Sequence, residues 1–180
     1  MDITENPIPH VTLVVLGVIA SIFDLKWRLL PDWLTVGGMV LGLVLAGVLH
    51  GWSGVGSAAL GMVVGLLVFW MFWTFGMMGS GDVLFMGTCG ALLGWPLILY
   101  GLLYSTVAGA LLGLVLAMAR GSFFRVFANL WTAVTSTFRP GKRRVPLAEL
   151  PTEELPYAVG IAVGSALAAL AAYVPALRIG

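Results

Sequence analysis

An all-α integral membrane protein, a six-transmembrane-helix bundle with its N-terminus outside and its main loops cytoplasmic, is the architecture expected of this chain. Composition, the spacing of the apolar runs and the placement of the basic residues lead there separately. Hydrophobic residues make up 60% of the 180 and charged residues only 9%, with a mean hydropathy of +1.04. That is too apolar for a soluble domain, which must cover itself with polar surface. The 24 glycines fall inside apolar runs, as they do where transmembrane helices pack closely. A net charge of +1 leaves no footprint for nucleic acid. The single Cys89 excludes an internal disulfide and a multi-cysteine metal site, so no metal and no cofactor are expected.

The elements follow from where the apolar runs break. Pro9 suits the first turn of helix one, which runs to about Phe23. That is short for a span needing roughly 20 residues, so the helix is expected to continue through Asp24-Leu25-Lys26-Trp27-Arg28-Leu29-Leu30 until Pro31 stops it. No basic stretch precedes this run and no small-x-small cleavage site follows it, so it is expected to remain as a membrane helix. Helix two covers about Trp33 to His50, a turn Gly51-Trp52-Ser53-Gly54 follows, and helix three covers Val55 to Phe75. Helix three ends in Phe69, Trp70, Phe72, Trp73 and Phe75, a candidate interfacial belt. Helix four spans about Val83 to Gly94, Trp95-Pro96 breaks the pattern, and helix five spans Leu97 to Ala119. Residues 120–155 form a hydrophilic cytoplasmic loop with an amphipathic piece and the basic run Arg139 to Arg144, and helix six runs from Pro156 to about Tyr173. The whole chain, 1–180, reads as one membrane-embedded domain.

Orientation comes from charge. Loops after helices one, three and five hold Lys26, Arg28, Arg120, Arg125, Arg139, Lys142, Arg143 and Arg144, and the opposite side holds only Arg178. Basic residues are retained on the cytoplasmic side, which puts these loops inside. Asp24 and Asp82 are separated by two complete crossings, so both fall near the cytoplasmic boundary. Small-xxx-small spacings at Gly38/Gly42, Gly61/Gly65, Gly90/Gly94, Gly109/Gly113 and Gly160/Gly164 read as helix packing.

A carboxylate at the mouth of a membrane segment is costly, and Asp82 and Asp24 each occupy such a place. Two carboxylates sharing a site do not both ionise readily; one keeps a proton while the other acts as base. That division suits activation of water and polarisation of a carbonyl. Gly79 and Gly81 leave the backbone beside Asp82 free of Cβ atoms, so an extended peptide can lie against it. Simpler roles compete: Asp82 as a helix N-cap, Asp24 as an interfacial partner of Lys26 or Arg28, Asp32 as the cap of helix two. Cys89 reads as a small buried residue, and Met77, Met78 and Met86 as apolar filler. His10 and His50 fall on the outer side, leaving no inner histidine to activate Ser80 or Cys89. Asp32, Glu149, Glu153 and Glu154 are candidates to bind a basic peptide, which the Arg139 to Arg144 run would repel.

Gly79-Ser80-Gly81-Asp82 resembles the GxGD signature of intramembrane aspartyl proteases. Asp24-Leu25-Lys26-Trp27-Arg28-Leu29-Leu30-Pro31-Asp32 resembles the D-x3-R-x-I-P-N segment of type IV prepilin peptidases, with Leu30 and Asp32 replacing its Ile and Asn. Pro156-Tyr157 before a glycine-rich helix is similar to the start of that family's final helix. The resemblance implies a prepilin or pseudopilin substrate in the lipid bilayer, cut after a glycine just before its hydrophobic segment. By motif it implies Asp24 and Asp82 as the catalytic pair, with Gly79, Gly81, Lys26, Arg28, Pro31, Asp32, Pro156 and Tyr157 shaping the site. No Cys-x-x-Cys pairs like those of the long bifunctional members are present, so zinc and N-methylation are not expected. The pattern resembles the short form found beside tight-adherence pilus systems and the preflagellin peptidases. From another class, a small proton- or cation-coupled transporter or channel subunit would also keep carboxylates in a membrane, and an inactive pilus assembly factor would keep the family's pattern.

Overall fold

The structure is a computed structural model, and it describes residues 6–74, 78–119 and 157–174. Those residues form five helices: α1 Ile8–Trp27, α2 Asp32–Thr74, α3 Ser80–Leu93, α4 Ile98–Ala119 and α5 Tyr157–Ala171. Three of the five, α1, α2 and α4, are long and apolar enough to cross a membrane. The architecture is that of an all-α membrane protein.

Helix α1 runs four residues past Phe23 and ends at Arg28, whose backbone is left-handed at φ 52° and ψ 34°. The Arg28 N–H closes the last turn on the Asp24 carbonyl at 2.9 Å. Pro31 therefore does not stop α1. It opens α2, its carbonyl accepting from the Leu34 N–H at 3.0 Å and the Thr35 N–H at 3.3 Å. Asp32 is the first residue of α2, where a negative charge suits the helix dipole.

At 43 residues, α2 would be roughly 65 Å long if straight, about twice the hydrocarbon core of a bilayer. It is not straight. Gly51, at φ 62° and ψ −152°, turns the chain so that residues 32–50 and 52–74 form two arms folded against each other. A Cβ on Gly54 would strike the Ala46 carbonyl, and one on Gly47 would sit 3.1 Å from Val55 Cγ2. The expected turn over 51–54 thus shrinks to one residue, because Gly51 alone takes the unusual backbone and Trp52, Ser53 and Gly54 are already helical.

Helix α3 lies in the cleft between the two arms and is buried from Asp82 to Leu93 except at Leu84. Gly42 of the first arm meets Ala91, while Gly61 and Gly65 of the second meet Gly90 and Met86. Residues rise together along the first arm and oppositely along the second, as a hairpin requires. Thr88 Oγ1 donates to the Thr35 carbonyl at 2.6 Å, and Ser57 Oγ donates to the Trp95 carbonyl at 3.1 Å beyond the end of α3. Helix α5 packs antiparallel to α1, with Gly17 against Ala162 and His10 Nδ1 2.8 Å from the Tyr173 hydroxyl. It also packs on α4, where Gly160 meets Gly109 and Ser105 Oγ donates to the Ile161 carbonyl at 3.2 Å. Most glycines of the expected small-xxx-small pairs lie at these contacts.

The aromatic belt is corrected in part. Phe69 is buried, stacked edge-on against Phe72 at 5.8 Å, whereas Trp70 and Trp73 are exposed. One face of that helical arm has to meet the bundle, so only part of an aromatic cluster can face lipid. Residues 120–156, Phe75 and Met77 lie outside the described residues, and with them the expected 120–155 loop and Pro156.

Candidate active site

One end of the bundle gathers the ends of four segments: the last turn of α1, the entry to α2, and the first turns of α3 and α5. Asp24 comes from α1 and Asp82 from α3, both buried. Asp82 lies within range of the Asp24 charge, so two carboxylates far apart in sequence share one electrostatic environment. Each has one oxygen held by a backbone amide. The Gly79 N–H donates to Asp82 Oδ2 at 3.2 Å, three residues back along the same turn. The Ala158 N–H donates to Asp24 Oδ2 at 3.0 Å across 134 positions. Tyr157, the first residue of α5, lies within range of the Asp82 charge, and a Cβ added to Gly109 would lie 4.0 Å from its ring.

Helix α3 starts at Ser80 rather than near Val83, so Asp82 sits inside its first turn, stabilising the N-terminus as a capping carboxylate does. Capping does not exclude a further role here; one oxygen serves the turn, and the carboxyl stays within range of the Asp24 charge. Gly79 is extended, at φ −76° and ψ 156°, and exposed. Gly81 differs from the expectation of open backbone: a Cβ there would lie 3.1 Å from the Leu30 Cβ. Its missing side chain lets Leu30, buried, pack onto the first turn of α3. Leu30 was legible only as a motif position; the packing that gives it a place in the site is tertiary.

Of the remaining residues, Lys26 holds its Nζ 4.5 Å from the centre of the Trp27 ring, a cation–π contact. Arg28 places its charge within range of Asp24. Pro31 and Asp32 stand at the same end, Asp32 exposed. Ala158 went unnoticed in the sequence, since a backbone donor leaves no mark on residue identity. His10 and His50 line a cleft with Trp95 and Pro96 at the opposite end. Fourteen residues of α1, roughly 21 Å of helix, separate His10 from Asp24. Cys89 is buried at 1% exposure. Among the described residues no three His, Cys, Asp or Glu side chains cluster as metal ligands. Paired buried carboxylates, one oxygen of each already engaged, are suited to moving protons between themselves, a water and a carbonyl.

Fold and site together define a helical membrane protein with two carboxylates brought together at one end of its bundle. The type IV leader peptidase family matches residues 11–114, a stretch that takes in both aspartates and ends before α5. The chain belongs to that family. It is 36% identical over 110 residues to the prepilin leader peptidase/N-methyltransferase of Aeromonas hydrophila, covering 57% of this chain and 38% of that protein. With the protein of the same description from Myxococcus xanthus it shares 33% over 125 residues, 66% of this chain and 37% of that one. With that of Pseudomonas putida the identity is 37% over 109 residues, 56% and 37% of the two chains. The chain thus spans less than two-fifths of the length of these relatives. No solved structure matches it.

Proposed function

We propose that this chain is an intramembrane aspartyl endopeptidase that removes the leader peptide of type IV prepilins or pseudopilins at the cytoplasmic membrane boundary. The observation that carries the reading is the meeting of Asp24 and Asp82, buried and within range of each other's charge, in a chain of the leader peptidase family. In the proposed reaction one carboxylate is protonated and the other ionised. The ionised group takes a proton from a water molecule, whose oxygen bonds to the scissile carbonyl carbon, while the protonated group gives its proton to the carbonyl oxygen. Collapse of the tetrahedral diol breaks the C–N bond, the leaving nitrogen receives a proton from the carboxyl that acted as base, and the other carboxylate recovers its own. The pair titrates as a unit, so cleavage should show a bell-shaped pH profile with limbs belonging to the pair.

Six crossings with the N-terminus outside would put this end of the bundle in the cytoplasm, where basic prepilin leaders lie and water is at hand. Gly79, exposed and extended, supports pairing with a substrate segment that must unwind before attack. Asp32, exposed nearby, supports contact with the basic leader. The proposal covers peptide cleavage and does not extend to N-methylation. Its test is cleavage of a prepilin from the same genome by purified protein in detergent, beside Asp24→Asn and Asp82→Asn. Wild-type cutting after the leader glycine, lost in both folded variants, supports the pair. Near-full activity in either variant removes that carboxylate from the mechanism, and an inert wild type favours the transporter and assembly-factor readings.

A further inference from the structure

The two carboxylates are held in different ways, and the difference points to a third component of the site. Asp82 is fixed by its own turn through the Gly79 N–H, so any chain that forms the start of α3 orients it. Asp24 is fixed from elsewhere: the Ala158 N–H, in the first turn of α5, donates to its Oδ2 at 3.0 Å. The helix itself has no use for that donor, since the first N–H groups of an α-helix lack an intrahelical acceptor. Ala158 is fully buried, so without Asp24 this N–H would stand unpaired away from water, a costly arrangement for both groups.

We propose that Ala158 is a positioning residue for the reaction, its backbone amide clamping Asp24 Oδ2 so that the other oxygen, Oδ1, is kept for Asp82 and the attacking water. The inference rests on the peptidase reading of the same site. It gives α5 a part in catalysis that its apolar side chains do not suggest, and it lies outside the stretch that the family matches, which ends at residue 114. Tyr157, within range of the Asp82 charge, precedes the clamp, so one helix start addresses both carboxylates.

The experiment compares Ala158→Pro, which deletes the N–H at a helix position that tolerates proline, with Ala158→Gly, which keeps it. Prepilin cleavage by the full chain is expected to lose about 100-fold in kcat in the proline variant, the scale of a small misplacement of a reacting group, with KM changed less than about threefold. The glycine variant should stay within about threefold of wild type on both. A general packing defect would instead lower both variants or raise KM. A proline variant as active as the glycine one overturns the inference and leaves the peptidase reading standing; an inert wild type overturns both. Should the proline variant fail to fold, the unmodified chain decides. With 15N-alanine labelling in micelles, the Ala158 amide proton, assigned by its absence from the Ala158→Gly spectrum, is expected to shift as the carboxylate pair titrates and to lose that response in Asp24→Ala. An amide signal indifferent to pH across the titration overturns the clamp.

Discussion

Asp24 and Asp82 sit where single atoms matter, and the sharpest expectations concern them. Asp24→Asn and Asp82→Asn keep size and hydrogen-bonding capacity but cannot exchange a proton. Each should lower kcat of prepilin cleavage by about 10³-fold, within the range for a positioned acid or base. Because the pair acts as one unit, the double variant should be no slower than the slower single one, measured in the same assay. Gly81 tests the packing beside them. Gly81→Ala places a Cβ 3.1 Å from the Leu30 Cβ, closer than ordinary contact, and should destabilise the chain by about 1 kcal/mol in a denaturation titration. Adding Leu30→Gly, which removes the opposing Cβ, should lift that extra penalty, so the two substitutions will not be additive. The two aspartates were legible in the sequence because an apolar run makes an acidic residue conspicuous. The Ala158 amide and the fit of Leu30 onto Gly81 were not, since neither a backbone donor nor a side-chain contact is written in residue order.

At the scale of the element, the bend in α2 rests on one residue. Gly51 takes φ 62° and ψ −152°, a backbone that other residues rarely adopt, and a Cβ there would meet nothing within 4 Å. The cost of Gly51→Ala is therefore purely one of backbone conformation, about 1–3 kcal/mol, and should appear as lower resistance to unfolding in detergent without a change in KM. Gly164 is the contrasting case: a Cβ there would collide with the Ser105 backbone, so Gly164→Val should separate α4 from α5 and cost about 1–3 kcal/mol through overpacking. Such glycines were visible as spacings, but their partners were not. A Gly-xxx-Gly pair marks a face that permits close approach, and only the assembled bundle selects which helix approaches.

Over the whole molecule, the carboxylate end and the histidine end lie at opposite ends of the bundle, so orientation is testable with thiols. Cys89 is buried at 1% exposure and should be silent, and Cys89→Ser removes it altogether. In that background, Trp52→Cys, at the bend in α2, should react with an impermeant maleimide in intact cells, whereas Leu29→Cys, beside the carboxylate end, should react only after permeabilisation. The reverse labelling would place the site outside and defeat cleavage at the cytoplasmic boundary. Both positions are exposed, Trp52 at 91% and Leu29 at 67%, so access depends on the side of the membrane and not on burial.

Residue order by itself determined the elements that local forces control. Apolar runs long enough to exclude water must satisfy their backbone internally, which makes them helices, and Gly51 and Trp95-Pro96 interrupt them where backbone freedom or a missing N–H demands. The tertiary structure decided what depends on contacts across the chain. It placed α3 between the arms of α2, turned part of the aromatic cluster inward, started α3 at Ser80, and brought the Ala158 amide to Asp24 across 134 positions. The physical reason is the same in each case. Helix formation needs only neighbours three and four residues away, whereas a buried polar group must find its partner wherever packing delivers one.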